Sequence, residues 1–202
     1  DSTNLVQLVK DLRSGLGDNT IITIASQAGR HNANEMDLKA TSAYIDAWHV
    51  MSYDYAVSDV PGLSSMTSPN APLYMPKQGV QASINDTITY YLNSGVAPSQ
   101  IMVGIPLYAH SWFTPGLTGT AWQSFGLKAT VQGECCGPFK TTFGAKPGKG
   151  CSLCGSMMYS EIVAAQPSTY FDNTTQSMIG YFPTQGADGY TEAGTWISYN
   201  EE

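Results

Sequence analysis

Charge is what this sequence most lacks. Only 12% of its residues are Asp, Glu, Lys or Arg, against a usual share of roughly a quarter. Nine Lys and Arg face sixteen Asp and Glu, for a formal net charge of -7. A nucleic-acid binder concentrates cations in a patch. Here they are few and scattered, which argues against a nucleic-acid partner. No apolar run approaches the ~18 residues that cross a bilayer, so no membrane-spanning helix is expected. No cleavable signal opens the chain, which begins Asp1-Ser2-Thr3-Asn4.

Polarity comes instead from Ser, Thr, Asn and Gln, with 20 Gly and 11 Pro among 202 residues. This is a loop-rich, weakly charged surface, the profile of a secreted, extracellular protein that handles neutral ligands. The length provides one full domain, or one domain with a small companion.

Cysteine is confined to one segment dense in Gly and Lys, at Cys135, Cys136, Cys151 and Cys154. A zinc site would use the final Cys-x-x-Cys, but the adjacent pair lacks the two-residue gap of a knuckle. No metal and no cofactor is therefore expected. Disulfides stapling an irregular loop are the favoured state, with their pairing open. Asn85-Asp86-Thr87 and Asn173-Thr174-Thr175 match the glycosylation acceptor pattern, in keeping with secretion.

Periodicity organises the first half. Leu5, Leu8, Val9, Leu12 and Leu16 recur at helical spacing, with Ser2 or Thr3 as N-cap and Gly15 and Gly17 as stop. Ile21 to Ala25 is β-branched and short, which predicts a fully buried strand. Met36 to Tyr44 reads as a short helix leading into a strand at Ala47 to Met51. A Pro-rich loop from Pro61 to Pro76 excludes helix interior. Val80, Ile84, Ile88, Tyr91 and Leu92 form another helical stripe, and Ile101 to Ile105 a third strand. Apolar strands alternating with amphipathic helices predict parallel pairing. Polar and aromatic side chains gather after each strand, the edge where such folds carry their sites.

Met51-Ser52-Tyr53-Asp54, Val103-Gly104-Ile105-Pro106-Leu107-Tyr108 and Trp196-Ile197-Ser198-Tyr199-Asn200-Glu201, in that order along the chain, together resemble segments of glycoside hydrolase family 18, the chitinases and their relatives. Met51-Ser52-Tyr53-Asp54 is similar to the Met-x-Tyr-Asp motif of the family's sixth strand. Val103-Gly104-Ile105-Pro106-Leu107-Tyr108 resembles the Gly-Ile-Pro-x-Tyr segment of its seventh. Pro72-Leu73-Tyr74 and Tyr91-Leu92-Asn93-Ser94-Gly95-Val96 fall between them in the family's order. Tyr159-Ser160-Glu161-Ile162 and Trp196-Ile197-Ser198-Tyr199-Asn200-Glu201 resemble segments inside and after the family's inserted domain.

The resemblance implies an α/β fold: a partial TIM (β/α)8 barrel, about strands five to seven, with a small α/β insertion domain. Residues 1–110 would form the barrel part, 111–192 the cysteine-containing insertion, which builds one wall of a substrate cleft, and 193–202 the return to the barrel. It also implies retaining hydrolysis of β-1,4 linkages in chitin or N-acetylglucosamine oligosaccharides, with the substrate's own N-acetyl oxygen as nucleophile. Tyr53 would donate to that oxygen and Asp54 would contact a sugar hydroxyl and influence the general acid. Met51, Tyr108, Trp112 and Trp48 are the substrate-binding candidates, with core packing the alternative for the tryptophans. Ser26 and Gln27 approach from the fifth strand, and His31 and His49 are read as structural.

Two departures and a smaller one stand out, and one of them is that residues 1–202 carry no match to the family's final strand with the buried Trp that floors its cleft. The family's Asp-x-x-Asp-x-Asp-x-Glu signature, which carries the acid, does not occur in residues 1–202. The chain by itself is therefore expected to be inactive, and a chitin-binding, lectin-like relative is the alternative. Tyr108-Ala109-His110 also stands where the family usually has Tyr-Gly-Arg, which puts that arginine's sugar contact in doubt.

Overall fold

A computed structural model describes residues 2–29, 33, 35–57, 66–129, 155–189 and 191–201. His31 and the four cysteines, with their expected disulfides, lie outside the described residues. The chain divides into two compact units, Asp1–Tyr53 with Ala82–Ile105, and Asp54–Gln81 with Pro106–Glu202.

The first unit runs α1 (Ser2–Leu16), β1 (Thr23–Gln27), α2 (Leu38–Ser42), β2 (Ala47–Met51), α3 (Ile84–Asn93), a 3-10 turn at Pro98–Gln100, and β3 (Ile101–Val103). The strands pair in parallel in the order β1-β2-β3, as the alternation of elements predicts. Caps set the helix starts. Asp37 accepts the Ala40 N–H at 2.9 Å, so α2 begins at Leu38. Ser83 accepts the Asp86 N–H at 3.1 Å, so α3 begins at Ile84 and leaves Val80 outside.

The core of this unit lies on one face of the sheet. Trp48 and Val50 are fully buried with Val9, Leu38, Tyr91 and Val96. Trp48 meets the Tyr91 ring edge-on at 5.9 Å and donates its Nε1–H to Ser42 Oγ at 2.8 Å. Arg13 ties α1 to the strand starts, donating to the Tyr44 carbonyl at 3.1 Å and to Asp46 Oδ2 at 2.7 Å. On the other face Ala25, His49 and Met102 sit in register and exposed. The expectation of a fully buried strand at Ile21 to Ala25 is thus corrected. β1 and β3 are largely exposed because helices cover only one face among the described residues.

The second unit is an antiparallel sheet flanked by one helix. β4 (Tyr108–Phe113), β5 (Ser156–Met158), α4 (Tyr159–Ala165), β6 (Ser168–Asp172), β7 (Ser177–Tyr181) and β8 (Thr195–Tyr199) give the strand order β5-β4-β8-β7-β6. Both faces are covered. Trp112, Ile179, Tyr181 and Trp196 pack with Phe125 on one side, and Ala109, Met157, Met178 and Ile197 with Ile162 on the other. Every residue of β7 and β8 is buried for that reason.

This sheet redraws the expected bounds. The boundary set between residues 110 and 111 falls inside β4, and residues 193–202, expected to rejoin the barrel, contain β8, hydrogen-bonded on both sides to β4 and β7. Tyr108, His110 and Trp112, which follow the third strand in the sequence, do not trail it as loose polar and aromatic groups but belong to a strand of their own, β4. Among the described residues the strands form these two sheets and no closed barrel, and no helix is long and apolar enough to cross a membrane.

Candidate active site

The end of β2 delivers Tyr53. Ser52 Oγ donates to the Gly104 carbonyl at 2.9 Å, and the Gly104 N–H donates to the Val50 carbonyl at 2.8 Å. These bonds bring the Gly104 backbone against the half-buried Tyr53 ring. A Cβ at Gly104 would lie 2.8 Å from Tyr53 Cε1 and 2.8 Å from the Val50 oxygen, closer than packed atoms tolerate. The glycine of the Gly-Ile-Pro segment therefore has a steric reason: it leaves room for the tyrosine.

Asp54 belongs to the second unit. Its φ of 58° is left-handed, a conformation that Asp and Asn adopt more readily than most side chains. Asn70, fully buried, is the hub that holds it there. Asn70 Oδ1 accepts the Asp54 N–H at 2.9 Å, and its Nδ2 donates to the Tyr108 carbonyl at 3.1 Å. The Asn70 N–H in turn reaches Ser198 Oγ at 3.3 Å, and Asn200 Nδ2 donates to the Ala71 carbonyl at 3.0 Å. The Trp-x-Ser-Tyr-Asn segment of β8 thus anchors the loop that positions Asp54.

Period-two geometry puts Tyr108, His110 and Trp112 on one face of β4, and the first two meet Asp54. The Tyr108 hydroxyl donates to Asp54 Oδ1 at 2.5 Å, and His110 Nε2 lies 2.8 Å from the same oxygen. Among the described residues Oδ2 has no hydrogen-bond partner, and the Asp54 side chain is 45% exposed. Partial burial by itself would raise the carboxyl's pKa. The hydrogen bonds from His110 and Tyr108, with the His110 charge, outweigh it and hold Asp54 below its ordinary value. The arrangement can offer one pinned oxygen and one free acceptor to a ligand hydroxyl or amide. His110, only 6% exposed, has its Nδ1 buried without a partner among the described residues.

The profile of glycosyl hydrolases family 18 matches residues 1–202. The chain belongs to glycosyl hydrolase family 18. It is 30% identical to chitinase 1 of Aphanocladium album over 135 residues, covering 61% of this chain and 31% of that protein. It is 24% identical to chitinase C of Streptomyces lividans over 212 aligned positions, covering 96% of this chain and 33% of that one. The chain thus spans about a third of these curated relatives.

Among solved structures, the group IV chitinase of Ostrinia furnacalis in complex with allosamidin superposes with a TM-score of 0.77 at 18% identity, over 100% of this chain and 50% of that one. A chitinase-like agglutinin of Robinia pseudoacacia superposes at 0.67 with 20% identity, over 99% and 51%. These likenesses place the family 18 chain in an α/β fold of TIM-barrel type.

Other candidates from the sequence have different places. Trp48 and Trp112 are both 0% exposed, so neither has a face free for a sugar, which corrects their substrate-binding assignment. Trp48 packs on Tyr91, and Trp112 on Trp196 at 5.4 Å between ring centroids. Met51 is half-buried at the end of β2. Ser26 and Gln27 line a pocket of about 280 Å³ with Glu35 and Met36, but Ser26 Oγ already accepts the Tyr91 hydroxyl at 2.9 Å. His49 is exposed, away from the core. Glu161 of the Tyr-x-Glu-Ile element caps α4, accepting the Met158 N–H at 3.0 Å. No group of three or more potential metal ligands occurs among the described residues.

Sequence reasoning missed Asn70 and the steric role of Gly104. Gly104 had a signal, its place inside a recognised motif. Asn70 had none, since a loop Asn beside Pro69 is ordinary turn chemistry until its partners are known.

Proposed function

We propose that residues 1–202 are part of a secreted enzyme that hydrolyses β-1,4 linkages between N-acetylglucosamine units of chitin with retention. Membership of family 18 and the relatives named as chitinases support this reading. The observation that carries it is the Asp54 carboxylate, pinned at Oδ1 by Tyr108 and His110 and open at Oδ2.

In the proposed reaction the N-acetyl carbonyl oxygen of the substrate attacks its own anomeric carbon, while the leaving sugar oxygen takes a proton from a general acid. Tyr53 donates its phenol proton to that carbonyl oxygen, holding it for attack and stabilising the developing charge. Asp54, whose carboxyl is held below its ordinary value, accepts from the substrate on Oδ2 and opposes ionisation of a neighbouring acid. The acid would be the Glu of the family's Asp-rich motif, which residues 1–202 do not contain. Weak surface charge and the two acceptor triplets support an extracellular setting.

The test is kinetic and uses the full-length protein on a chromogenic chitobioside. Tyr53→Phe is expected to lower kcat by about a hundredfold or more with KM little changed. Equal losses in turnover and binding would reduce Tyr53 to a positioning role. A second reading, a chitin-binding protein without turnover, is favoured by the likeness to the Robinia agglutinin. Full-length protein that binds chitin oligosaccharides without cleaving them would select it.

A further inference from the structure

A polar pocket in the second unit shares no residue with the Asp54 cluster. It has a volume of about 180 Å³, with Phe125 in its lining and Lys77, Gln78, Gln123, Ser124, Asp172 and Thr174 around it. Phe125 is held from behind, meeting Trp196 edge-on at 5.8 Å.

The walls are strapped together by backbone bonds. Thr67 N–H donates to the Leu127 carbonyl at 2.8 Å and Gly126 N–H to the Thr67 carbonyl at 2.7 Å, joining the segment before Lys77 to the one after Phe125. Leu73 N–H donates to the Thr175 carbonyl at 2.8 Å, joining it to the turn between β6 and β7. Gly126, at φ 76°, lets the Gln78 side chain lie against the backbone, where a Cβ would stand 2.9 Å from Gln78 Cβ. The site is therefore formed in advance of any ligand.

Its polar groups are unspent. Among the described residues the side chains of Lys77, Gln78, Gln123, Ser124 and Thr174 make no hydrogen bond within the chain. Asp172 is the exception, since its Oδ2 accepts the Thr175 N–H at 2.8 Å and hydroxyl at 2.6 Å. One ammonium and one carboxylate on the same rim disfavour a ligand of either net charge. Two carboxamides, each offering donor and acceptor, match vicinal hydroxyls, which also do both.

We propose that this pocket binds one unit of a neutral saccharide, with Gln78 and Gln123 bridging adjacent hydroxyls and Phe125 supplying the apolar contact. The site holds its ligand whether or not the protein is an active hydrolase, so the two readings fail separately.

The test titrates N-acetylglucosamine into full-length protein, read by saturation-transfer difference NMR, beside chitobioside turnover on the same samples. Gln78→Ala combined with Gln123→Ala is expected to weaken a saccharide-binding component about tenfold, the loss of two or so hydrogen bonds. Turnover should be unchanged. Ser124→Trp, at an exposed position, should abolish that component by filling the pocket, and it keeps the test sharp if the double variant melts early. Undiminished binding in Ser124→Trp, no binding by wild type, or tighter binding of inorganic phosphate than of the sugar would each overturn the proposal.

Discussion

His110 Nε2 stands 2.8 Å from Asp54 Oδ1, on the oxygen that also takes the Tyr108 hydroxyl. Two donors on one carboxylate oxygen favour the ionised acid against the desolvation that opposes it. The consequence is a defined pH dependence. A carboxyl whose folded pKa is depressed stabilises the fold above its unfolded value, which is 3.8 for Asp. That contribution disappears as pH falls through the lower, folded value. Asp54→Asn should therefore flatten the acid limb of a denaturation-midpoint curve recorded between about pH 2 and pH 6. His110→Phe should move the Asp54 titration, followed by carboxyl carbon NMR, upward, because burial is then less opposed. An unmoved titration would show that the His110 contact does not act on the carboxylate.

Asn70→Ala removes one acceptor and one donor at once. The Asp54 N–H would lose its acceptor, and the Tyr108 carbonyl would lose the donor that Asn70 supplies. Each buried polar group left unpaired costs about 1–3 kcal/mol, so destabilisation of that order is expected in chemical denaturation. Turnover of the full-length protein should fall with it, because Asp54 loses its backbone anchor. A loss of stability with activity retained would show that Asp54 needs no such anchor.

Gly104→Ala tests the packing beneath Tyr53. The added Cβ collides with both the Tyr53 ring and the Val50 carbonyl, and overpacking of this kind costs about 1–3 kcal/mol. A lowered melting temperature is expected together with a loss of turnover resembling Tyr53→Phe. Val103→Ala, which removes methyls from a partly exposed strand residue, serves as the control and should alter turnover little.

Residues 1–202 expressed alone should neither cleave a chitobioside nor remain monomeric. The first expectation follows from the absence of the Asp-rich signature. The second follows from the three-stranded sheet, where β1 and β3 each pair on one side and Met102, Val103 and Ile105 are 48%, 45% and 73% exposed. Apolar edges of this kind template association. Sedimentation and a turnover assay check both. A monomer with cooperative melting, or measurable cleavage, would contradict them.

Much of the first unit was legible because its signals are local. β-branched runs and helical stripes depend on residues a few positions apart, and they set three parallel strands and their helices, whereas the caps at Asp37 and Ser83 emerged only from the structure. The ordered motifs around Tyr53, Gly104 and Trp196 carried the family. The antiparallel sheet was less legible. β4 carries Tyr, His and Ser among its apolar residues, so it read as the polar end of the third strand until its partners β5 and β8, more than forty residues away in sequence, were known. The two tryptophans show the same limit, since a ring that could stack on sugar and a ring buried in a core are identical in sequence.

By itself, then, the sequence determined the family and the parallel βα arrangement, through periodicity and short motifs. Only the tertiary structure decided that Asp54 is held by Asn70, Tyr108 and His110, and that Trp48 and Trp112 serve the core. Hydrogen bonds and burial between residues far apart in the chain depend on where the backbone brings them, and no local pattern encodes that placement.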